Sequence, residues 1–367
     1  MGRFPQGTLG LSAALLHRFA LLAAVISVLA TGAPAQAATS RRVGATNVLA
    51  TVPYPGHPGG IALDGRTIYV DTFNPVDRAT DDYDAIFTYD RVTGRLRNDR
   101  PNPIKVPRMM SPTPMGLAAI ALDKRGLLYV ADMNGRILRV DPVTGAQKDY
   151  ATFPTNSMTS LTAMPDGIAF DKRGNLYVTD GSAPVIWRVP RGGGEAKPWL
   201  IDPALPSAWA SGLDGVAIDP SGHYLYFTEG FGNGTGVFRV PLNRPQISAV
   251  ELVHLYAPPA PTPSFADQDT HGIFGVSAIA FGAEGNLYVT LLGYNQVSVL
   301  RTNGTEKLRF PSGAGRQEPY YDPLFPALDA RGWLYITNLA IRAPAKSAIL
   351  KAWVRERGLR LRRPAIP

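Results

Sequence analysis

The chain contains no cysteine, which excludes disulfides, thiolate nucleophiles and cysteine-based zinc sites. Histidine is scarce, with five in 367 residues. No H-E-x-x-H helix and no G-x-S-x-G elbow occurs, so the arrangements of zinc-helix proteases and of α/β-hydrolases are excluded as well. Long apolar runs are also missing, and after residue 37 none approaches the ~18 residues of a membrane span. No transmembrane segment is therefore expected in the mature chain. The one conspicuous run, FALLAAVISVLA (19–30), is itself too short to span. Arg3, His17 and Arg18 precede it and Ala35-Gln36-Ala37 follows, so residues 1–37 read as a cleaved signal peptide. The mature protein is then expected to be secreted or periplasmic.

A basic stripe interleaved with aromatics is absent from the body of the chain, so no nucleic-acid partner is expected. The net charge of +8 gathers instead at the end, where Lys351, Arg355, Arg357, Arg360, Arg362 and Arg363 face only Glu356. Residues 356–367 read as a solvated basic tail, able to touch an anionic surface. Gly230, Gly232, Gly234 and Gly236 mimic a phosphate cradle, but they sit between two strands with no helix behind them and read as a hairpin loop.

What the chain does contain is one phrase written six times. It reads GIALDGRTIYV (60–70), AIALDKRGLLYV (119–130), GIAFDKRGNLYV (167–178), GVAIDPSGHYLYF (215–227), AIAFGAEGNLYV (278–289) and PALDARGWLYI (326–336). Alternating apolar residues, a glycine-bearing turn and a Tyr- and Val-rich second half make each copy a β-hairpin. A third segment follows most copies, as in ILRVD (137–141) and IWRVP (186–190). Asp123, Asp171 and Asp219 lie 48 residues apart (171 − 123 and 219 − 171), the period of a four-stranded propeller blade. One blade cannot bury both of its faces, so the units must stack around an axis. The fold class predicted is all-β, a six-bladed β-propeller of four-stranded antiparallel blades over residues 46–355. NVLATVP (47–53) is predicted to complete blade six and close the ring. A monomer is expected.

This topology places the chemistry. Residues that precede each inner strand and residues that follow each second strand converge on one face, around the channel. The first set is Gly59, Ala118, Asp166, Asp214, Ser277 and Leu324. The second includes Asp132, Asp180, Glu229 and Asn338. An acidic or amide side chain at a strand end commonly accepts backbone N–H bonds, so a structural role is the alternative reading for the second set. Asp166 and Asp214, in neighbouring blades, are the sharper candidates. Two buried carboxylates repel one another unless one is protonated or a cation lies between them. A hard cation such as Ca²⁺ would suit oxygen ligands of this kind.

MPDGIAFD (164–171), GLDGVAID (212–219) and the LYVTD that ends the third hairpin resemble the repeats of the gluconolactonase, senescence-marker and luciferin-regenerating enzyme family. VADMNGRILRVD (130–141) resembles an NHL repeat. The first resemblance covers nearly the whole mature chain and implies hydrolysis of a lactone or ester with a divalent metal in the channel, Ca²⁺ first. It implies that Asp166 takes the place of an Asn ligand and Asp214 that of the catalytic Asp, whereas Gly59 and Ala118 fall where a Glu and a polar residue are expected. His271, in the segment 244–274 between blades four and five, is a further catalytic candidate as an assisting base or lid residue. The second resemblance implies a non-catalytic propeller whose channel face binds a ligand or a protein.

Overall fold

A computed structural model of the chain describes residues 41–73, 83–109, 115–154, 162–202, 212–229, 235–257, 275–313, 317–341 and 343–367. The unit from Arg42 to Pro367 is a six-bladed propeller. From the channel outward, blade one is Pro58–Asp64, Thr67–Thr72, Tyr83–Asp90 and Ile104–Pro107. Blade two is Leu117–Leu122, Leu128–Asp132, Arg136–Val140 and Gln147–Thr152, and blade three is Pro165–Phe170, Leu176–Asp180, Val185–Val189 and Lys197–Ile201. Blade four is Leu213–Ile218, Tyr224–Glu229, Gly236–Pro241 and Glu251–Leu255, and blade five is Val276–Phe281, Leu287–Leu291, Gln296–Leu300 and Glu306–Phe310. Blade six is Pro323–Leu328, Trp333–Asn338 and Ala348–Trp353, and Thr46–Thr51 pairs antiparallel with its third strand as the outermost one. The N-terminal strand thus closes the ring, as the pattern of 47–53 predicts. Among the described residues, no helix is long and apolar enough to cross a membrane.

The core lies between blades. Tyr129 of blade two, fully buried, meets Phe170 of blade three edge-on, with ring centroids 5.0 Å apart, and Tyr226 meets Phe281 across blades four and five in the same way. The repeated Tyr of each LYV is therefore packing material, and edge-to-face pairs add to the burial of their area.

The repeated Asp has an equally local cause. Asp171 accepts the backbone N–H groups of Arg173 and Asn175, at 2.8 and 2.9 Å, in the turn joining the inner and second strands. Asp123, Asp219 and Asp329 do the same in blades two, four and six. Blade five has Gly282 at this position, and the missing carboxylate comes from the end of the chain. Glu356, 4% exposed, accepts from Glu284 N–H at 3.0 Å, Asn286 Nδ2 at 2.8 Å and Tyr288 OH at 2.9 Å. A Cβ on Gly282 would lie only 2.0 Å from Glu356 Oε1, so a glycine here is what admits it.

The solvated-tail expectation is corrected by this contact. From Glu356 the chain crosses the end of the channel opposite the carboxylates and touches every blade. Ala283 and Leu359 exchange backbone bonds across to Arg357 and Phe281, and Gly358 bonds Asp329. Arg362 reaches the carbonyl of Asp219, Arg363 pairs with Asp64, Lys124 N–H reaches Pro364, and Arg191 reaches Ala365. Ile366 is buried between blades two and three. The segment 244–274 also needs correction, because its residues Glu251–Leu255 are the outer strand of blade four, held through Arg239 and Glu251. Only the stretch after Leu255 connects to blade five.

Glu356→Ala is expected to lower unfolding stability by about 2–3 kcal/mol, since it strips a buried carboxylate from three donors. Adding Gly282→Asp to that variant should restore most of the loss, while Gly282→Asp alone should destabilise by crowding Glu356. Chemical denaturation of the three variants checks this, and a double variant no better than Glu356→Ala would refute the substitution in trans.

Candidate functional site

At the other end of the channel, every inner strand carries a β-bulge at one level. The register shifts at Gly59-Gly60, Ala118, Asp166-Gly167, Asp214-Gly215, Ser277-Ala278 and Leu324-Phe325. A bulge bends the strand and re-aims a side chain, but it also removes backbone groups from the ladder. Those groups must be satisfied elsewhere.

A threonine in the second strand satisfies them. Thr179 Oγ1 accepts the Gly167 N–H at 2.8 Å and donates to the carbonyl of Asp214 in the next blade. Thr228 accepts from Gly215 at 2.7 Å and donates to Ser277 at 2.5 Å. Thr290 links Ala278 to Leu324, and Thr337 links Phe325 to Gly59. Four hydroxyls thus tie four blades to their successors and place Asp214 and Ser277 by their own backbone. Blade two has Ala131 at this position, without a hydroxyl, and blade one has Asp71.

Asp71 is not singled out by its sequence context, although the position reads Asp, Ala, Thr, Thr, Thr, Thr around the ring. It is fully buried, and its Oδ1 accepts the Gly60 N–H at 2.6 Å. Among the described residues its Oδ2 has no hydrogen-bond partner. Burial pushes its pKa up to about 8; the Gly60 N–H works against the rise and Asp84 adds to it. A protonated Asp71 has both an acceptor and a donor, the two functions a threonine supplies elsewhere in the belt. It also explains Gly59. A Cβ there would stand 2.6 Å from Asp71 Oδ1 and 2.8 Å from the Leu117 carbonyl, so no glutamate can occupy that position while Asp71 does.

Asp166 and Asp214 lie close enough for each to feel the other. Asp166 is pushed well above the usual carboxylate range, first by burial and then by the charges of Asp214, Asp180 and Asp71. Asp214, 6% exposed, is pushed up to about 7 by burial, with the neighbouring Ser277 hydroxyl acting against the rise. Ser277 Oγ and Asp214 Oδ1 nevertheless complete no hydrogen bond of good geometry among the described residues. Both carboxyls are thus held toward their protonated forms, Asp166 by burial and the neighbouring carboxylates and Asp214 by burial.

The second set of candidates stays outside this pair. Asp132 is held by Asn134 and Arg136. Asp180 accepts from Met164, Ser182 and the Trp187 indole. Asn338 accepts from Tyr321 N–H and donates to the carbonyls of Pro319 and Lys346. All three serve turns and loops. Glu229 is buried and pushed up to about 7 by burial and then by Asp202, in a neighbouring part of the same face. His271 lies outside the described residues.

The expected calcium finds a partial donor set. Asp166 and Asp214 offer hard oxygen donors, and among the described residues Asp214 Oδ1 has no hydrogen-bond partner. Gly59 and Ala118 bring nothing, and among the described residues no three His, Asp or Glu side chains converge as metal ligands. Two carboxylates fall short of the 6–8 oxygens that Ca²⁺ takes, so these residues do not make a calcium cradle by themselves.

No protein-family model and no curated protein matches the chain. Solved structures do. Regucalcin of Agrobacterium tumefaciens, described as a calcium-binding protein, aligns over 88% of this chain and 97% of its own, with TM-score 0.60 and 18% identity. A gluconolactonase of Xanthomonas campestris aligns over 85% and 98%, with TM-score 0.54 and 12% identity. A luciferin-regenerating enzyme aligns over 88% and 98%, with TM-score 0.54 and 14% identity. The fold therefore resembles the family whose repeats the sequence resembles, and at these identities the likeness is one of fold.

Asp71 also sets a pH dependence. Its pKa is about 8 in the folded protein against an ordinary 3.8, so between those values the folded state holds a proton that the unfolded state has lost. Stability then falls as pH rises through that window. Asp71→Asn keeps an acceptor and a donor without the charge. It should be more stable than the wild type at pH 8 by about 1–3 kcal/mol, with a flatter dependence of melting temperature on pH. Superimposable pH profiles for the two proteins would refute the protonated Asp71.

Proposed function

We propose that the protein is a lactonase-like hydrolase that acts on a lactone or ester with Asp214 as base and Asp166 as acid. Asp214 takes a proton from water as the hydroxide oxygen bonds to the substrate carbonyl carbon. Asp166 donates a hydrogen bond to the carbonyl oxygen, where negative charge develops. The C–O bond then breaks, and the proton on Asp214 passes to the departing alkoxide, giving an acid and an alcohol. The observation that carries this reading is the pair itself: a half-buried Asp166 and a buried Asp214 at a channel mouth, both raised above the usual carboxylate range and Asp214 up to about 7. Enzymes separate acid from base by such differences in environment.

No step passes through a metal, because the described donors do not complete a calcium site. His271 is assigned no step either. We also propose export, on the strength of residues 1–37 as a signal peptide. The specific observation on the side of a non-catalytic, NHL-like propeller is the pair of empty ligand positions, Gly59 and Ala118.

A screen of lactones and esters should find turnover whose kcat/KM rises through about pH 7 as Asp214 ionises and falls once Asp166 loses its proton. Asp214→Asn should lower that rate by about 10²-fold or more while leaving the melting curve cooperative. Unchanged turnover in Asp214→Asn would overturn the assignment, and no turnover by the wild type would leave the binding propeller. Activity is expected to survive EDTA. Loss that Ca²⁺ restores, together with a Ca²⁺-dependent melting shift absent from Asp166→Asn, would replace the acid–base reading by a metal-assisted one.

A further inference from the structure

On the face opposite the carboxylates, a cleft of about 570 Å³ opens between blades three and four. That volume lies within the usual range of small-molecule sites, roughly 300–1,000 Å³. One wall is aromatic, with Tyr177 and Trp199 packed edge to face at a centroid distance of 4.9 Å. Lys172, Arg173, Arg188 and Arg362 bring four cationic side chains to the same cleft. Asp171 is the single carboxylate in the wall, and its oxygens are already engaged by Arg173 N–H, Asn175 N–H and Asn175 Nδ2.

The four cations outnumber the one carboxylate of the wall, Asp171. Arg188 donates to the neutral amide oxygen of Asn175, and Arg362 donates to the carbonyls of Asp219 and Pro220. Among the described residues, no carboxylate forms a salt bridge with any of the four. The Tyr177 hydroxyl is raised by burial and then by the Asp171 charge, while the Arg188 and Arg173 charges, close to the same aromatic wall, act against the rise. Four positive charges against one carboxylate beside an aromatic wall favour an anionic ligand, and guanidinium forks match the geometry of phosphate oxygens.

We infer that the cleft between blades three and four binds an aryl phosphate, its ring against Trp199 and Tyr177 and its phosphate among the guanidinium groups. This site is independent of the hydrolytic reading, since it lies at the other end of the propeller from Asp214. The test is calorimetric titration of the full chain with para-nitrophenyl phosphate, with inorganic phosphate and para-nitrobenzyl alcohol as the separated halves. The aryl phosphate should bind saturably, and each half about tenfold or more weakly. Arg173→Glu and Arg188→Glu alter exposed side chains and should each weaken the aryl phosphate about tenfold or more. Asp214→Asn should leave its affinity unchanged, and added salt should weaken it. Absence of saturable binding, charge reversals that leave the affinity within about twofold, or loss of binding in Asp214→Asn would each overturn the inference.

Discussion

The threonine hydroxyl that bridges neighbouring blades is the contact on which the rest of this molecule depends. Each inner strand bulges at the channel mouth, which re-aims a side chain, strands an N–H and leaves a carbonyl facing the preceding blade. A hydroxyl accepts and donates through one atom, so Thr179, Thr228, Thr290 and Thr337 satisfy both groups at once. Blade closure and site geometry are therefore the same interaction. The carbonyl that Thr179 holds belongs to Asp214, and the one that Thr228 holds belongs to Ser277.

The two departures from the belt are where the chemistry differs from what the family resemblance implies. Asp71 in a threonine position accepts the bulge N–H of its own blade as a hydroxyl would, and its carboxyl together with the Leu117 carbonyl fills the space a side chain at Gly59 would need. With Asp71, Asp166 and Asp214 all raised by burial, the mouth is a place where protons are held. The opposite face works by the same principle with different parts, for there a carboxylate caps the hairpin turns of blades two, three, four and six, and in blade five Glu356 does so from the far end of the chain.

Much of this was legible in the sequence, for physical reasons that also mark where legibility stops. Period-two alternation and glycine turns reveal hairpins, a 48-residue spacing reveals blades, and the segment 47–53 could be recognised as a closing strand because a ring leaves one strand position vacant. Asp166 and Asp214 stood out because the bulge position can be aligned between repeats. Asp71 did not, since nothing in an alternating strand tells that its side chain will meet the bulge N–H of Gly60. Glu356 looked like one acid in a basic tail; only Gly282, where the other hairpin turns of this kind carry Asp, hinted that a turn lacked its carboxylate. The outer strand Glu251–Leu255 was hidden in a proline-rich stretch because its residues are mostly exposed and carry little apolar alternation. Asp132, Asp180 and Asn338 read as candidate ligands by position and proved to be committed to nearby turns and loops.

The central claim is that the channel pair divides into an acid and a base near neutral pH, and infrared spectroscopy of the protonated carboxyl stretch tests it most directly. The difference between the wild type and Asp214→Asn should contain a protonated-carboxyl band that disappears as pH rises through about 7. The difference between the wild type and Asp166→Asn should contain a protonated-carboxyl band at a pH where exposed carboxylates are ionised. If neither difference shows a protonated carboxyl, both groups are ionised throughout, and the pair cannot act as the acid and base described.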